Sequence, residues 1–283
     1  MVKTIEHVIE NIRRESIING SLWAARTSIL AIKNSIEKMK FKNSKEVVDR
    51  LFSLFEIFYS SKPVLVPVVN SIASLCFSVR DKYKENMDVD ELKTEVETIC
   101  FALVDRIQTA EQMIPMYVKE IIEEDSTLLI HGYSNTLLVA LERVRDKKYF
   151  EVILTKTQPE KSSYHMANEL LKNDIETHMI STNSLGFFVC DVNMAISGAD
   201  SIQKNGTVIN IAGTRLIALL LNHVKKPFYV VAETLKFDPN NIKEEIPVEE
   251  RQIIHDGRNI KMYSVLFDMT EPQLITAVLT EQG

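Results

Sequence analysis

An all-helical amino-terminal domain followed by a parallel-sheet α/β domain is the fold class the sequence predicts, and three observations carry it. Glycine is segregated: of the eight, only Gly20 precedes Gly132. Apolar residues in the first half recur at helical spacing. From Thr127 onward, short β-rich runs alternate with segments long enough to be crossover helices. The boundary is drawn between a helical domain, 1–122, and an α/β domain, 123–283.

Each element follows from its own pattern. Ile5, Val8, Ile9 and Ile12 mark the first helix; Leu51, Leu54, Phe55 and Phe58 mark the second; Val96, Ile99, Cys100 and Leu103 mark a long last one, opened by the charged stretch from Asp88 to Glu97. Pro63 and Pro67 follow Ser60-Ser61-Lys62 and end a helix near Tyr59, because the residue before a proline is biased away from helix. Strands are predicted at Thr127–His131, Phe150–Thr155, Ile175–Ile180, Val192–Ser197 and Pro227–Ala232. Between them Thr136–Arg145, Ser162–Asn173 and Thr214–Val224 can each cross over between parallel neighbours, so the second domain is Rossmann-like. Asn205-Gly206 between Ser201–Lys204 and Thr207–Asn210 is a two-residue hairpin signal.

Composition narrows the function classes. With 45% hydrophobic and 25% charged residues the chain is globular. A net charge of -6, with no long block of either sign, disfavours direct nucleic-acid binding and a membrane patch. No apolar run reaches the roughly 18 residues a spanning helix needs, and the protein is expected in the cytoplasm. Cys76, Cys100 and Cys190 have no metal-type spacing and are expected as reduced thiols without a disulfide, Cys190 in the core. Six scattered histidines predict no metal, and no cofactor is implied.

In an open parallel sheet the ligand sits beyond the carboxyl ends of the strands. The candidates there are His131, Gly132, Tyr133 and Ser134 after the first strand, Asn183 after the third, Asp200 after the fourth, and Asn210, Gly213 and Thr214 ahead of the last crossover helix. Gly132 through Ser134 would offer backbone N–H groups to an anion, or equally form a plain helix cap. Asp200 suits sugar hydroxyls or a base, or a turn; Asn210 with Thr214 suits phosphate or a cap. The acid/base inventory is thin: Asp200, His131 and Glu233. Neither Walker nor dinucleotide glycine spacing occurs, and no Gly-x-Ser-x-Gly elbow.

Leu128-Leu129-Ile130-His131-Gly132-Tyr133-Ser134, Gln158-Pro159, Gly198-Ala199-Asp200, Asn205-Gly206, Asn210 with Gly213-Thr214, and Lys226 through Phe237 together resemble the alpha, beta and delta regulatory subunits of translation initiation factor 2B, most of all the alpha subunit and its archaeal counterparts. Val265 through Thr270 and Gly20-Ser21 extend the likeness toward both ends. The resemblance implies a homodimer formed through the α/β half. It also implies association with related regulatory subunits, engagement of initiation factor 2 through its alpha subunit, and a small phosphorylated ligand near Gly20, Ser21 and the strand ends.

The same superfamily holds isomerases of methylthioribose 1-phosphate and ribose 1,5-bisphosphate. Their catalytic cysteine falls on Gly132 here, their aspartate on Asp200, their Asn-Lys-x-Gly-Thr on Asn210-Ile211-Ala212-Gly213-Thr214, and their Arg-Gly-Ala clamp on Asn19-Gly20-Ser21. Thiol, lysine and arginine are thus missing, with Arg26 and Lys62 as possible replacement cations. The expected function is a regulatory binding module without catalytic residues; the alternative is an isomerase using Asp200 with His131 or Tyr133 as a substitute acid.

Overall fold

The computed structural model describes residues 2–61, 64–157, 160–242, 246, 248–255 and 258–283. Lys62, Pro63, Gln158, Pro159 and Gly257, used in the sequence reading, lie outside them. The chain forms two compact units, one of Met1–Met113 with Glu233–Phe237, the other of Ile114–Ala232 with Asp238–Gly283.

The first unit is helical. α1 (Val2–Lys38) is interrupted at Gly20, whose φ of 82° and ψ of 167° are open to a residue without Cβ. α2 (Ser44–Ser60) is capped by Asn43, which accepts from the Glu46 N–H, and ends one residue beyond Tyr59. α3 (Val66–Lys82) carries Pro67 in its first turn, where the missing N–H costs nothing. α4 (Val89–Ile121) contains Pro115, and the division between the units falls beside that proline, within the helix and ahead of the expected 122/123 boundary. Ile29, Leu51, Ile72, Leu92 and Cys100 lie in its core.

The second unit is α/β. β1 (Ser126–His131), α5 (Asn135–Arg145), β2 (Phe150–Lys156), α6 (Glu160–Lys172), β3 (Thr177–Ser181), α7 (Leu185–Phe188) and β4 (Met194–Gly198) come first. The hairpin of β5 (Ser201–Gln203) and β6 (Val208–Ile211) precedes α8 (Thr214–His223) and β7 (Phe228–Val231). β8 (Phe237–Asp238), β9 (Val248–His255), β10 (Arg258–Val265), β11 (Phe267–Thr270) and β12 (Ala277–Leu279) complete the chain.

Six strands form an all-parallel sheet in the order β12-β7-β4-β1-β2-β3. Both faces are buried, so alternate residues of one strand enter different cores: Leu128 and Ile130 one, Leu129 the other. A second sheet has the order β11-β6-β5-β8, and β9 with β10 forms a separate antiparallel ribbon.

One expectation is corrected: Cys190 is exposed, whereas Cys76 and Cys100 are buried. The run Leu185-Gly186-Phe187-Phe188-Val189-Cys190 follows a helical rather than a strand period. Leu185 and Val189 face the core while Phe187, 78% exposed, points outward.

Candidate functional site

The sheet order sets the site. β1 lies between β2 and β4, so the chain leaves β1 toward β2 and β3 on one side and returns through β4 and β7 on the other. Such a switch opens a crevice at the carboxyl ends of the two central strands. His131 through Ser134 follow β1 there, and Gly198 through Asp200 end and follow β4. The two segments touch: a Cβ on Gly198 would stand 2.7 Å from Ser134 Oγ.

His131 seals the floor. Its Nε2 faces the Ala212 carbonyl at 3.0 Å and its Nδ1 faces Thr155 Oγ1 at 2.5 Å. A carbonyl only accepts, so Nε2 carries the proton and Nδ1 accepts from the threonine hydroxyl. Burial pushes the imidazole down to about 4, against the opposing pull of the Ala212 and Ile211 carbonyls. The ring is therefore neutral near pH 7, and with 4% exposure it spends both nitrogens inside the chain. Gly213 has φ +114°, and a Cβ on it would lie 2.6 Å from His131 Cε1; the imidazole and a side chain cannot share this space.

Asn210 and Thr214 are likewise committed. The Asn210 amide donates to Ser197 Oγ at 2.9 Å and to Thr214 Oγ1 at 3.0 Å, and the Thr214 hydroxyl donates to the Ile211 carbonyl at 2.8 Å. Asp268, opposite Asn210 in the β6–β11 register, accepts from the Gly213 N–H at 2.7 Å and the Arg215 N–H at 3.1 Å. An internal carboxylate thus sits at the amino end of α8. Burial raises the Asp268 pKa, opposed by those two N–H groups and by Arg215. Sequence reasoning missed Asp268, which stands more than fifty residues from Gly213 and is brought in only by strand pairing.

Gly132 turns the chain with φ +73°, and a Cβ on it would meet Ile211 Cγ2 at 3.0 Å and Thr157 Cγ2 at 3.9 Å. Ser134 caps α5, accepting from the Leu137 N–H at 3.3 Å. The Tyr133 hydroxyl donates to Asn135 Oδ1 at 3.3 Å and its ring stacks on His165 at 4.7 Å. Burial, aided by Glu169 and Glu142, pushes the phenol up to about 12. Asp200 is half-buried at the root of the β5–β6 hairpin, its N–H donating to the Ile209 carbonyl at 2.9 Å. Lys156 ends β2 beside this crevice, its Nζ 6.0 Å from the Tyr164 ring centre. Its place at the end of the strand next to β1 was readable, yet it was not singled out as a cation.

The remaining predicted residues lie apart from this cluster or outside this unit. Asn183 is exposed in the turn after β3, two strands from β1. Gly20, Ser21 and Arg26 belong to the helical unit, as does Glu233, buried and paired with Lys236 at 3.2 Å. Among the described residues one trio has ligand atoms close enough for a metal ion: Glu151, Glu176 and His178, within 4.8 Å of one another. It lies at the amino ends of β2 and β3, away from the crevice.

The crevice therefore holds the Asp200 carboxylate and the Lys156 side chain among hydroxyls and an amide whose hydrogens are engaged within the chain, with its histidine neutral and sealed. Comparison with known proteins places this arrangement. Residues 17–283 match the model of the initiation factor 2 subunit family. A translation initiation factor eIF-2B subunit 2-like protein of Pyrococcus horikoshii is 28% identical over 281 residues, 98% of this chain and 96% of the relative. A ribose 1,5-bisphosphate isomerase of Pyrococcus furiosus is 27% identical over 296 residues, 100% of this chain and 90% of the relative. Among solved structures, the translation initiation factor eIF-2B of Pyrococcus horikoshii OT3 superposes with a TM-score of 0.79 at 28% identity, covering 99% of this chain and 96% of that one. The tetrameric eIF2B-beta2-delta2 complex from C. thermophilum shares the fold at a TM-score of 0.80 and 20% identity, covering 99% of this chain and 90% of that one. With its helical amino-terminal unit, its six-stranded parallel sheet and a match over nearly its whole length, the chain belongs to the initiation factor 2 subunit family.

Proposed function

We propose that this chain is an alpha-type regulatory subunit of the initiation factor 2B kind. In this reading it forms a homodimer, associates with related subunits, engages initiation factor 2 through that factor's alpha subunit, and binds a sugar phosphate or nucleotide monophosphate at the crevice without isomerising it. The ligand contacts assigned to it are Asp200, the backbone of Gly132 through Ser134, and the oxygens of Asn210 and Thr214 as acceptors for sugar hydroxyls, their hydrogens being engaged within the chain; Gly20, Ser21 and Asn183 are further proposed contacts.

One observation carries the reading. The positions of the isomerase thiol and lysine, Gly132 and Ile211, pack on each other, with Ile211 Cγ2 only 3.0 Å from where a Cβ on Gly132 would be. Apolar carbon takes the place where an isomerase would keep two proton-handling groups, and loss of such a group costs about 10²–10⁴-fold in rate. A substitute acid is poorly served as well, since His131 titrates near 4 and Tyr133 near 12.

Calorimetry with pentose phosphates and nucleotide monophosphates, together with pull-down of purified initiation factor 2 subunits, tests the proposal. Binding without turnover and capture of the alpha subunit are expected; no complex with any initiation factor 2 subunit would remove its main support. The isomerase reading is favoured by the full-length likeness to ribose 1,5-bisphosphate isomerases and by Asp200 at the end of β4. It requires aldose-to-ketose conversion by the purified chain, abolished by Asp200→Asn.

A further inference from the structure

The histidines are scattered along the chain, but strand pairing brings one of them to two carboxylates. Thr127 pairs with Glu151 across β1 and β2, and Glu151 stands one row before the Val152–Thr177 pair, opposite Glu176 at the entry to β3. His178 follows two residues later, on the same face as Glu176. Two glutamates are thus set side by side with an imidazole next to them. His178 Nε2 lies 3.3 Å from Glu176 Oε1 and 3.8 Å from Glu151 Oε2, and the three ligand atoms lie within 4.8 Å of one another.

Like charges directly opposite on neighbouring strands destabilise a sheet. The usual remedy is a lysine or arginine, and among the described residues neither carboxylate is ion-paired to one; both approach only His178. Their other oxygens are held by neutral donors instead. Thr127 Oγ1 donates to Glu151 Oε1 at 2.6 Å, and the Tyr149 hydroxyl donates to Glu176 Oε2 at 2.9 Å. These bonds orient the carboxylates without cancelling their charge, and each glutamate turns its second oxygen toward the imidazole nitrogen. Metal-ligating carboxylates are held by outer hydrogen bonds in the same way.

We infer that Glu151, Glu176 and His178 form a binding site for a divalent transition-metal ion of the zinc type. The spacing fits. Ligand atoms about 2.0–2.2 Å from a tetrahedral ion stand about 3.4 Å from one another, so small side-chain rotations close the observed separations on an ion. The donor set also fits, because imidazole favours zinc, copper or nickel, whereas magnesium and calcium take oxygen ligands. Three protein ligands at the surface leave a fourth position to water. The site lies at the amino ends of β2 and β3, the opposite end of the strands from the crevice. Its ion would pin the edge strand β3 to β2, and an ion bound only by the folded chain stabilises it by mass action.

Calorimetric titration of the metal-stripped full chain with zinc chloride tests this, with circular dichroism confirming that each variant is folded. One zinc per chain is expected, with a melting temperature that rises on zinc addition and falls back with EDTA. His178→Ala and Glu151→Gln are expected to weaken binding at least about 100-fold, and Tyr149→Phe, which removes only an orienting hydroxyl, about 10-fold. X-ray absorption at the zinc edge should show nitrogen and oxygen neighbours without sulfur, which separates this site from zinc held by the exposed Cys190. Absence of zinc binding at millimolar metal would leave His178 as a plain ion-pair partner of the glutamates and overturn the site. Binding that folded His178→Ala retains unchanged, or sulfur in the zinc shell, would overturn it equally. So would displacement of zinc by magnesium at equal concentration, since that selects oxygen ligands alone.

Discussion

Replacing Gly132 with alanine tests how the crevice floor is built. The substitution puts an L-residue at φ +73°, which costs about 1–2 kcal/mol in the left-handed region. It also adds a carbon 3.0 Å from Ile211 Cγ2, and forcing an extra methyl into packed surroundings costs about 1–3 kcal/mol. The sum is about 2–5 kcal/mol, a large part of a domain's net stability. Only the second contribution depends on Ile211. Combining Gly132→Ala with Ile211→Ala is therefore expected to cost about 1–2 kcal/mol less than the two single losses added. Equilibrium urea denaturation, read where all four m-values agree, measures the cycle. Additivity within about 0.5 kcal/mol would refute the contact. Gly132→Cys is subject to the same constraint: its thiol would face a branched aliphatic chain rather than a cation, and the single variant is expected to show no isomerisation.

Acidification reports on His131. Its folded pKa, about 4, lies below the ordinary 6.5, so the stability it lends is complete above pH 6.5 and lost as pH falls toward 4, about 3 kcal/mol over that interval; His131→Gln should flatten this part of the unfolding-versus-pH curve, and an unchanged slope would contradict the assignment. Gly213→Ala drives a Cβ to within 2.6 Å of the His131 ring and should lower the melting temperature more than Gly186→Ala, whose Cβ meets nothing within 4 Å. Asp268→Ala removes the acceptor for two N–H groups at the start of α8 and should cost about 0.5–2 kcal/mol. In that variant, sulfate should raise the melting temperature more than in the unaltered chain, because the freed N–H groups donate to the external anion; equal shifts would argue against the internal cap. A thiol reagent at pH 8 should label Cys190 alone in the native protein and all three cysteines in urea, since burial pushes Cys76 and Cys100 up to about 12.

What could be read from the sequence was what local pattern controls. β1, β2 and β7 are buried on both faces, so each is a near-continuous apolar run, and Asn205-Gly206 announces its turn because Gly206, at φ +85°, adopts a conformation few other residues accept. β12 has no such signature. Ala277–Leu279 is a strand only because β7 pairs with it, and three residues give no period. The site divides in the same way. Strand ends and helix starts located His131 through Ser134, Asp200 and Thr214, but not what their side chains touch. The Asp268 cap, the Gly132–Ile211 contact and the Glu151–Glu176–His178 trio each join residues distant along the chain. Cys190 failed for a different reason: its apolar neighbours were read as core, but the helical period of α7 turns Leu185 and Val189 inward and leaves Phe187 and the following Cys190 exposed.

The crevice combines a constrained frame with an apolar contact between Gly132 and Ile211, and the two carry different energetic weight. Its frame includes a neutral histidine bonded at both nitrogens, an amide joining β4 to α8, and glycines at φ +73° and +114° that leave room for their neighbours. Each constraint restricts the chain to fewer residues than an ordinary loop would tolerate. A floor shaped only for packing could use side chains with negative φ there and would need no histidine whose burial sacrifices stability in acid. Pairing such a frame with Gly132 and Ile211 puts apolar carbon where the isomerase reading would need a thiol and an amine. That combination is what the proposed function requires, recognition of a phosphorylated metabolite without chemical change. If the proposed function holds, a bound metabolite stabilises the folded chain by RT ln(1 + [L]/Kd), so a melting temperature that rises with pentose phosphate concentration is the expected outcome and an unchanged one counts against the proposal.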